Sequence, residues 1–594
     1  MKIFFWIIDR GVISLQDERV LYIAFVWNQH QPYYKDFSKN KLIMPWVRLH
    51  AAKDYYQMAA ILEQYPEIRQ TFNLTPSLLD QLADYIKAGT EDYYMAVMKP
   101  AEVLSAQERL FLLQHFFDIH WDKVIGRFPR YRELLERQGY RREPGLKDDV
   151  LENFTDADYR DLQVWFNLAW IDPEIRDGDP FLSRLVAKGQ NFSEDEKEQL
   201  MGKQMELLGK IVFIHRTMRD KGRIELMTTP FYHPIMPLLI DSHSVRRNNP
   251  GIPVPGKFAY PEDVYAQMQA SLKQYADLFG GRPAGLWPSE QAVSPEIIPL
   301  CRELGFTWTI SDEQILAQSL GVKIVRDHYG HVLNPEVLYQ PYLVGPEGRE
   351  MVMIFRDHNL SDRIGFEYQH FRGEDAAADL VHRLHCIRNN LASAQGHYLV
   401  TLSLDGENAW EWYPDDKREF LHALYRRLGG ERYLRCVTVS EYLSRNPPRV
   451  AIRDLYTGSW VDHSLARWIG SDNKNAMWDL LISARKAIDD YRERPGADEK
   501  KINEALHWIY IAEGSDYYWW VDSMPYYLTA PFEALFRKHL ANVYRSLELR
   551  PPSVLSVPLI RPEPGEPAWE HDPIAGPVSM IDTRDENRED RPGK

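Results

Sequence analysis

Tyr398-Leu399-Val400-Thr401-Leu402-Ser403-Leu404 runs straight into Asp405-Gly406-Glu407-Asn408-Ala409-Trp410. The first seven residues are apolar or β-branched and contain no turn former, so they read as a buried strand. A carboxylate at the mouth of such a strand, beside an indole, is costly unless it does chemistry. Gly285-Leu286-Trp287-Pro288-Ser289-Glu290 repeats the form, with a short apolar run ending in a carboxylate beside Trp. Two strand-end carboxylates, each next to an aromatic ring, point to a paired acid/base site for a sugar.

Five further strand-like runs precede or lie between these two: Leu21-Trp27, Gln70-Leu74, Ile224-Thr228, Phe306-Ile310 and Met351-Phe355. With Ala284-Trp287 and Tyr398-Leu404 they make seven, and helical patterns separate most of them. Pro261 opens one helix, whose apolar face is Val264, Met268, Leu272 and Tyr275, and Gly280-Gly281 closes it. Ser294-Pro295 is expected to start the next as N-cap and first turn, and Gly305 to end it. Strand–helix alternation predicts an α/β fold with a parallel sheet or barrel. Seven strands fall short of the usual eight, so the expectation is an incomplete (β/α)7 barrel with a helical insertion and a C-terminal helical bundle.

Residues 1–20 form an N-terminal extension in this division, and 21–415 the barrel. Within the barrel, 85–222 is a helical insertion containing Glu194-Met218. Residues 416–549 are a mostly helical domain that completes the cleft, with helices over Asn475-Tyr491, Asp498-Glu513 and Pro531-Leu547. The Pro-rich, charged tail 550–594 is expected to be partly disordered, chiefly from about residue 565. Met1 to Ile8 is apolar, but Asp9 and Arg10 interrupt it and no small-residue cleavage site follows. No signal peptide is expected, and no run reaches the roughly 20 residues of a membrane span.

The net charge of −15 over 594 residues argues against a nucleic-acid partner. Seventeen Trp and 33 Tyr supply flat rings with a polar edge, suited to sugars as well as to cores. Cys301, Cys386 and Cys436 are odd in number and far apart, which gives neither a disulfide framework nor a zinc spacing and fits a reducing, cytoplasmic compartment. No cofactor or metal is expected, and oligomeric state is left open.

Functional groups in parallel α/β folds gather where strands meet the following loops. His30-Gln31-Pro32 follows the first strand, Asn73-Leu74-Thr75-Pro76 ends the second, and Thr228-Thr229-Pro230-Phe231-Tyr232-His233-Pro234 ends the third. Glu290, Asp312, Asp357-His358 and Asp405 follow the remaining four. Together with Ala512-Glu513-Gly514-Ser515-Asp516-Tyr517-Tyr518-Trp519-Trp520, the His30, His233, Glu290 and Asp405 segments resemble, in order, the five motifs of glycoside hydrolase family 57, whose members act mainly on α-glucans. The resemblance covers about residues 20 to 550. Trp460-Val461, Trp468-Ile469-Gly470 and Asn475-Ala476-Met477-Trp478 look most like its amylopullulanase branch. That branch has Trp-Phe where this chain has Tyr517-Tyr518, a change that bears on substrate preference.

The resemblance implies a seven-stranded barrel, a retaining mechanism, Glu290 as nucleophile and Asp405 as acid/base. It also implies an α-glucan substrate (starch, glycogen, maltodextrin or pullulan), with His30, Gln31, His233, Trp287, Trp410, Asp516 and Trp519 as the substrate-binding candidates. A retaining pair needs carboxyl groups about 5–5.5 Å apart, one ionised and one protonated. Burial beside Trp410 or near Glu290 is expected to raise the pKa of Asp405. Glu407 is expected to support its loop. Asp54 and Asp362 are weaker candidates.

Hydrolysis is the favoured outcome. A 4-α-glucanotransferase or branching enzyme would use the same pair with a sugar hydroxyl in place of water. A metal-dependent sugar hydrolase or deacetylase, built on His30, His233, Asp357 and His358, is a further alternative. So is a non-catalytic glucan-binding protein, which would not need both Glu290 and Asp405.

Overall fold

The computed structural model describes residues 20–140 and 148–561. The expected N-terminal extension, apart from its last residue, and the tail beyond residue 561 lie outside the described residues. Seven parallel strands carry the fold: β1 (Leu21–Gln29), β2 (Gln70–Leu74), β3 (Ile224–Met227), β4 (Gly285–Leu286), β5 (Trp308–Asp312), β6 (Met351–Arg356) and β7 (Leu399–Asp405). One sheet runs β7-β1-β2-β3, with a short strand at Leu434–Cys436 also on β1. A second runs β4-β5-β6 and continues through Tyr342–Val344 to Val450–Ile452. A parallel bridge between Thr228 and Leu286 joins β3 to β4. Opposite it, β6 and β7 meet more loosely. The Asp357 amide donates to Thr401 O at 2.8 Å, and Ser403 N donates to Ser361 Oγ at 3.0 Å.

Side-chain alternation along β1 explains the two faces. Ile23, Phe25 and Trp27 pack outward among the helices. Ala24 and Val26 turn the other way and meet Met227, Trp287, Trp308, Ile310, Ile354 and Leu399, drawn from neighbouring strands. Trp308 fills this inner space so closely that a Cβ on Gly285 would lie 2.2 Å from its ring. Glycine at the start of β4 is therefore a packing requirement.

Strand positions follow the sequence expectation, with shifted ends. β5 includes Asp312 as its last residue, β6 includes Arg356, and β4 is reduced to two residues because the chain turns away at Trp287. The segment between β2 and β3 is mainly helical and ends in α1 (Glu194–Asp220), which Ser193 and Glu196 cap reciprocally. After α2 (Pro261–Phe279), the expected Ser294–Pro295 start is not used. That helix spans Ile297–Glu303, preceded by an Ile297 N to Ser294 O turn. Towards the C-terminus come α3 (Asp472–Arg492), α4 (Glu499–Ala512), short α5 (Ser515–Trp519) and α6 (Tyr526–Ser546). Asp498 caps α4 through Lys500 N at 2.9 Å. α6 begins five residues before Pro531, which it accommodates.

Candidate active site

Register places the first functional group. β1 pairs with β7 so that Asn28 lies opposite Asp405, and with β2 so that Asn28 lies opposite Asn73. The three side chains form a relay: Asn73 Nδ2 donates to Asn28 Oδ1 at 2.8 Å, and Asn28 Nδ2 donates to Asp405 Oδ1 at 2.9 Å. Asn408 Nδ2 donates to Asp405 Oδ2 at 3.2 Å. Both carboxylate oxygens are thereby held. Gly406 allows the approach, since its N donates to Asn28 O at 2.7 Å and a Cβ there would sit 3.3 Å from that oxygen.

Glu290 lies beyond β4 in a short helical turn with left-handed backbone angles, φ 57° and ψ 25°. Gln291 (φ 48°) and His233 (φ 60°) share that unfavourable region. Non-glycine residues in it cost about 1–3 kcal/mol each and cluster at functional sites. The Glu290 side chain is aimed by Trp460, whose Nε1–H donates to Oε2 at 2.8 Å, while Trp460 N donates to Glu290 O at 3.2 Å. Burial, and then the negative charge of Asp405, push the Glu290 carboxyl up to about 7, against the pull of the Trp460 hydrogen bond and the His30 charge.

His30 and His233 stack with ring centroids 3.9 Å apart. His233 Nδ1 lies 3.0 Å from Ser515 Oγ and 3.9 Å from Glu290 Oε1. Burial and the neighbouring His30 charge hold His233 well below the usual histidine range, so it is neutral. Burial opposes charge on His30 as well, but Asp516, 3.0 Å from its Nε2, outweighs it and raises its pKa. The segment carrying Asp516 is anchored by an antiparallel bridge between Pro234 and Gly514 and by Ser515 N donating to His233 O. A Cβ at Gly514 would lie 2.9 Å from Tyr232 O, so glycine is what lets α5 reach this loop.

The other sequence candidates separate. Gln31 is buried with both ends of its amide in use, donating to Tyr55 Oη and accepting from Tyr34 Oη. Trp410 is fully buried among Trp27 and Tyr413 and donates to Gly406 O at 2.7 Å. Neither presents a free face to a ligand, and both brace the loops beside them. Trp287 is fully buried too, edge-on to Trp460 at 5.3 Å, and the ring that reaches the surface is Trp460. Trp519 is half-exposed, with the Arg467 guanidinium over it at 4.3 Å. The Tyr517 and Tyr518 hydroxyls donate to Tyr33 O and Ala512 O, so they are structural hydroxyls and add no polar groups to the cleft. Glu407 is buried, accepts from the His30 backbone N–H, and is held neutral by burial and by Asp405, a support for the His30 loop.

Asp54 is buried among Lys53, His50 and Lys417, which take up its carboxylate. Asp362 pairs with His358 at 3.0 Å. The proposed metal set of His30, His233, Asp357 and His358 is not assembled. Asp357 is bound by Arg326 and Tyr339, while two smaller groups form instead: His30–His233–Asp516 and Asp312–His358–His463. Into the second, Arg356 places its Nε 2.7 Å from Asp312 Oδ2, a fixed positive charge where a cation would sit. Asn28, Asn408, Ser515 and Trp460 were not singled out by the sequence reading as site residues. Asn408 and Ser515 lie inside the quoted Asp405 and Asp516 motifs, Trp460 lies in the aromatic segment it shares with Trp468, and only Asn28 carried no signal.

The family model of glycosyl hydrolase family 57 matches residues 24–453. An α-amylase from Pyrococcus horikoshii is 24% identical over 238 residues, 39% of this chain and 30% of that protein. The aligned stretch therefore spans less than a third of the relative's length. Among solved structures, a GH57-type branching enzyme from Pyrococcus horikoshii superposes with a TM-score of 0.57 at 15% identity, covering 93% of this chain and 99% of that one. An α-amylase from Thermotoga maritima gives 0.54 at 14%, covering 90% and 95%. The match runs through the strand ends that carry His30, His233, Glu290 and Asp405, and on this evidence the chain belongs to glycosyl hydrolase family 57.

Proposed function

We propose that this chain cleaves α-glucosidic bonds of α-glucans with retention, Glu290 attacking the anomeric carbon and Asp405 serving as acid and then base. The observation that carries the reading is the pair itself: two strand-end carboxyls, with burial first and the Asp405 charge second pushing Glu290 up to about 7. One proton shared by such a pair belongs to the pair. The Trp460 N–H and the His30 cation favour negative charge on Glu290, the form a nucleophile needs. Asp405 gives its proton to the leaving oxygen as the Glu290–sugar bond forms. It then takes a proton from water, which displaces Glu290 and regenerates both groups. Neutral His233 and charged His30 supply hydrogen bonds to sugar hydroxyls, and Trp460 and Trp519 supply ring faces.

The α-amylase names of the sequence relatives support hydrolysis. Branching and glucanotransferase activities, which proteins of the same fold carry in their names, are the second reading. The strand order supports an incomplete (β/α)7 barrel over 21–415, with the 85–222 insertion and the helices of 416–549 as cleft walls and α3, α4 and α6 as a bundle. The aromatic segment Trp460 to Trp478 supports an amylopullulanase-like preference. The three unpaired thiols, with Cys301 and Cys436 buried and pushed up to about 12, fit a cytoplasmic setting. Product analysis on amylose, pullulan and maltooligosaccharides tests the reading. Shorter sugars of retained configuration are expected; longer or branched products would replace hydrolysis by transfer, and no conversion of any glucan would sink both.

A further inference from the structure

Arg356 ends β6 in register with Asp312 on β5 and is almost wholly buried. Its guanidinium serves three elements at once. Nε donates to Asp312 Oδ2 at 2.7 Å, and Nη1 donates to Ser403 O at 3.1 Å, across the loose seam to β7 and two residues before Asp405. The guanidinium carbon lies over the Trp460 ring, 5.0 Å from its centroid. Trp460 in turn donates to Glu290 Oε2. Gln291, next to Glu290, closes the circuit by donating from Nε2 to Ser403 Oγ at 3.0 Å.

We propose that Arg356 is a positioning residue that sets the Glu290–Asp405 geometry, holding Trp460 on Glu290 with its face and the Asp405 strand with its Nη1. The inference rests on the assignment of Glu290 and Asp405 made above. Three physical features carry it. β7 is laddered to β1, but on its β6 side a side-chain donor to Ser403 O stands where a ladder bond is missing. A guanidinium held by a buried carboxylate is rigid, and His358 Nδ1, 3.0 Å from the same Asp312 oxygen, adds a second clamp. Burial opposes ionisation of Asp312, but the Arg356 and His358 charges outweigh it and hold its carboxyl far below the usual range, so Asp312 stays charged. Finally, a planar cation can stack on an indole and bond two acceptors in one geometry, which an ammonium cannot.

The experiment compares Arg356→Met, Arg356→Lys, Trp460→Phe and the Arg356→Met/Trp460→Phe double variant of the full chain, with Glu290→Gln as reference. Near-UV circular dichroism and melting check the fold. Turnover of maltooligosaccharides is expected to fall about 10- to 100-fold in Arg356→Met, the scale for misplaced catalytic groups, with KM changed less than threefold. Arg356→Lys keeps the charge opposite Asp312 and should melt close to wild type, yet recover little of kcat. Loss of the Trp460 hydrogen bond removes a contact that favours ionised Glu290. The acid limb of kcat/KM should therefore move to higher pH in Arg356→Met and Trp460→Phe alike, and no further in the double variant. A normal pH profile in Arg356→Met, additive losses in the double variant, or full rescue of kcat by lysine would overturn the proposal while Glu290→Gln stays inactive. An active Glu290→Gln would instead remove the assignment, and the proposal with it.

Discussion

Asn28 donates to Asp405 from the directly opposed position on the neighbouring strand, and itself receives from Asn73 on the next strand. Oδ1 of the carboxylate is therefore held by sheet register, and Oδ2 by Asn408 in the following loop. Asn28→Leu removes the donor and leaves the Asn73 amide buried without its acceptor. A destabilisation of about 1–3 kcal/mol is expected, together with a tenfold or greater loss of kcat. Chemical denaturation and glucan turnover measure the two. A variant with full turnover would show that Asp405 needs no orienting partner.

Glu290→Gln and Asp405→Asn are each expected to lower turnover by several orders of magnitude with secondary structure unchanged, because a retaining mechanism fails without either its nucleophile or its acid. Near-normal rates in either variant would dismiss that residue from its role.

The stability of the two variants separates them further. Glu290 is raised from its ordinary value of 4.5 to about 7 by burial and by Asp405. Between those values the folded protein binds more protons than the unfolded chain, so stability falls as pH rises through the window. The uncharged amide in Glu290→Gln escapes this loss. Its melting temperature should exceed that of the wild type above pH 7 and converge on it toward pH 5, with a difference of at most ~3 kcal/mol. In the wild type, kcat/KM should fall below about pH 7 as Glu290 takes up its proton. Parallel melting curves across pH 5–8 would contradict the raised value.

The sequence gives the strand ends and their acids, because each motif is a local run whose apolar stretch and carboxylate lie within a few residues. It does not give the orientation of the neighbours. Trp287 and Trp410 adjoin the catalytic candidates in sequence, but successive positions at a strand end face different ways, and both indoles go into the interior. The ring that touches Glu290 comes from residue 460, 170 positions away. Asn28 looks like one more polar strand residue until its register with Asp405 is known. The rise at Glu290 likewise depends first on burial, which no local run of residues reveals.

Asp516→Asn tests how the C-terminal segment joins the cleft. Burial works against the charge on His30, and Asp516 outweighs it, raising the histidine's pKa. A raised histidine contributes stability that is present in full below its unfolded value and is lost as pH passes its folded value. The variant should therefore melt lower than wild type at pH 6 and draw level at alkaline pH. Its KM for maltooligosaccharides should rise more than its kcat falls, since His30 is assigned to binding. An unchanged KM with a large fall in kcat would move His30 into the chemical step.

Chelation decides between carboxylate chemistry and a metal site. His30, His233 and Asp516 present ligand atoms within 4.8 Å of one another, as do Asp312, His358 and His463. In the first group His30 Nε2 and both oxygens of Asp516 are already engaged with each other. In the second, Arg356 and His358 carry positive charge against Asp312, with His358 raised to about 10 by its two carboxylate partners, Asp312 and Asp362. A divalent ion there would have to displace a guanidinium and deprotonate an imidazolium, and metal ligands must be deprotonated. Dialysis against EDTA is expected to leave turnover within twofold, and added zinc to bring no gain. Loss of activity on chelation with recovery on zinc would transfer the catalytic role from Glu290 and Asp405 to one of these histidine groups.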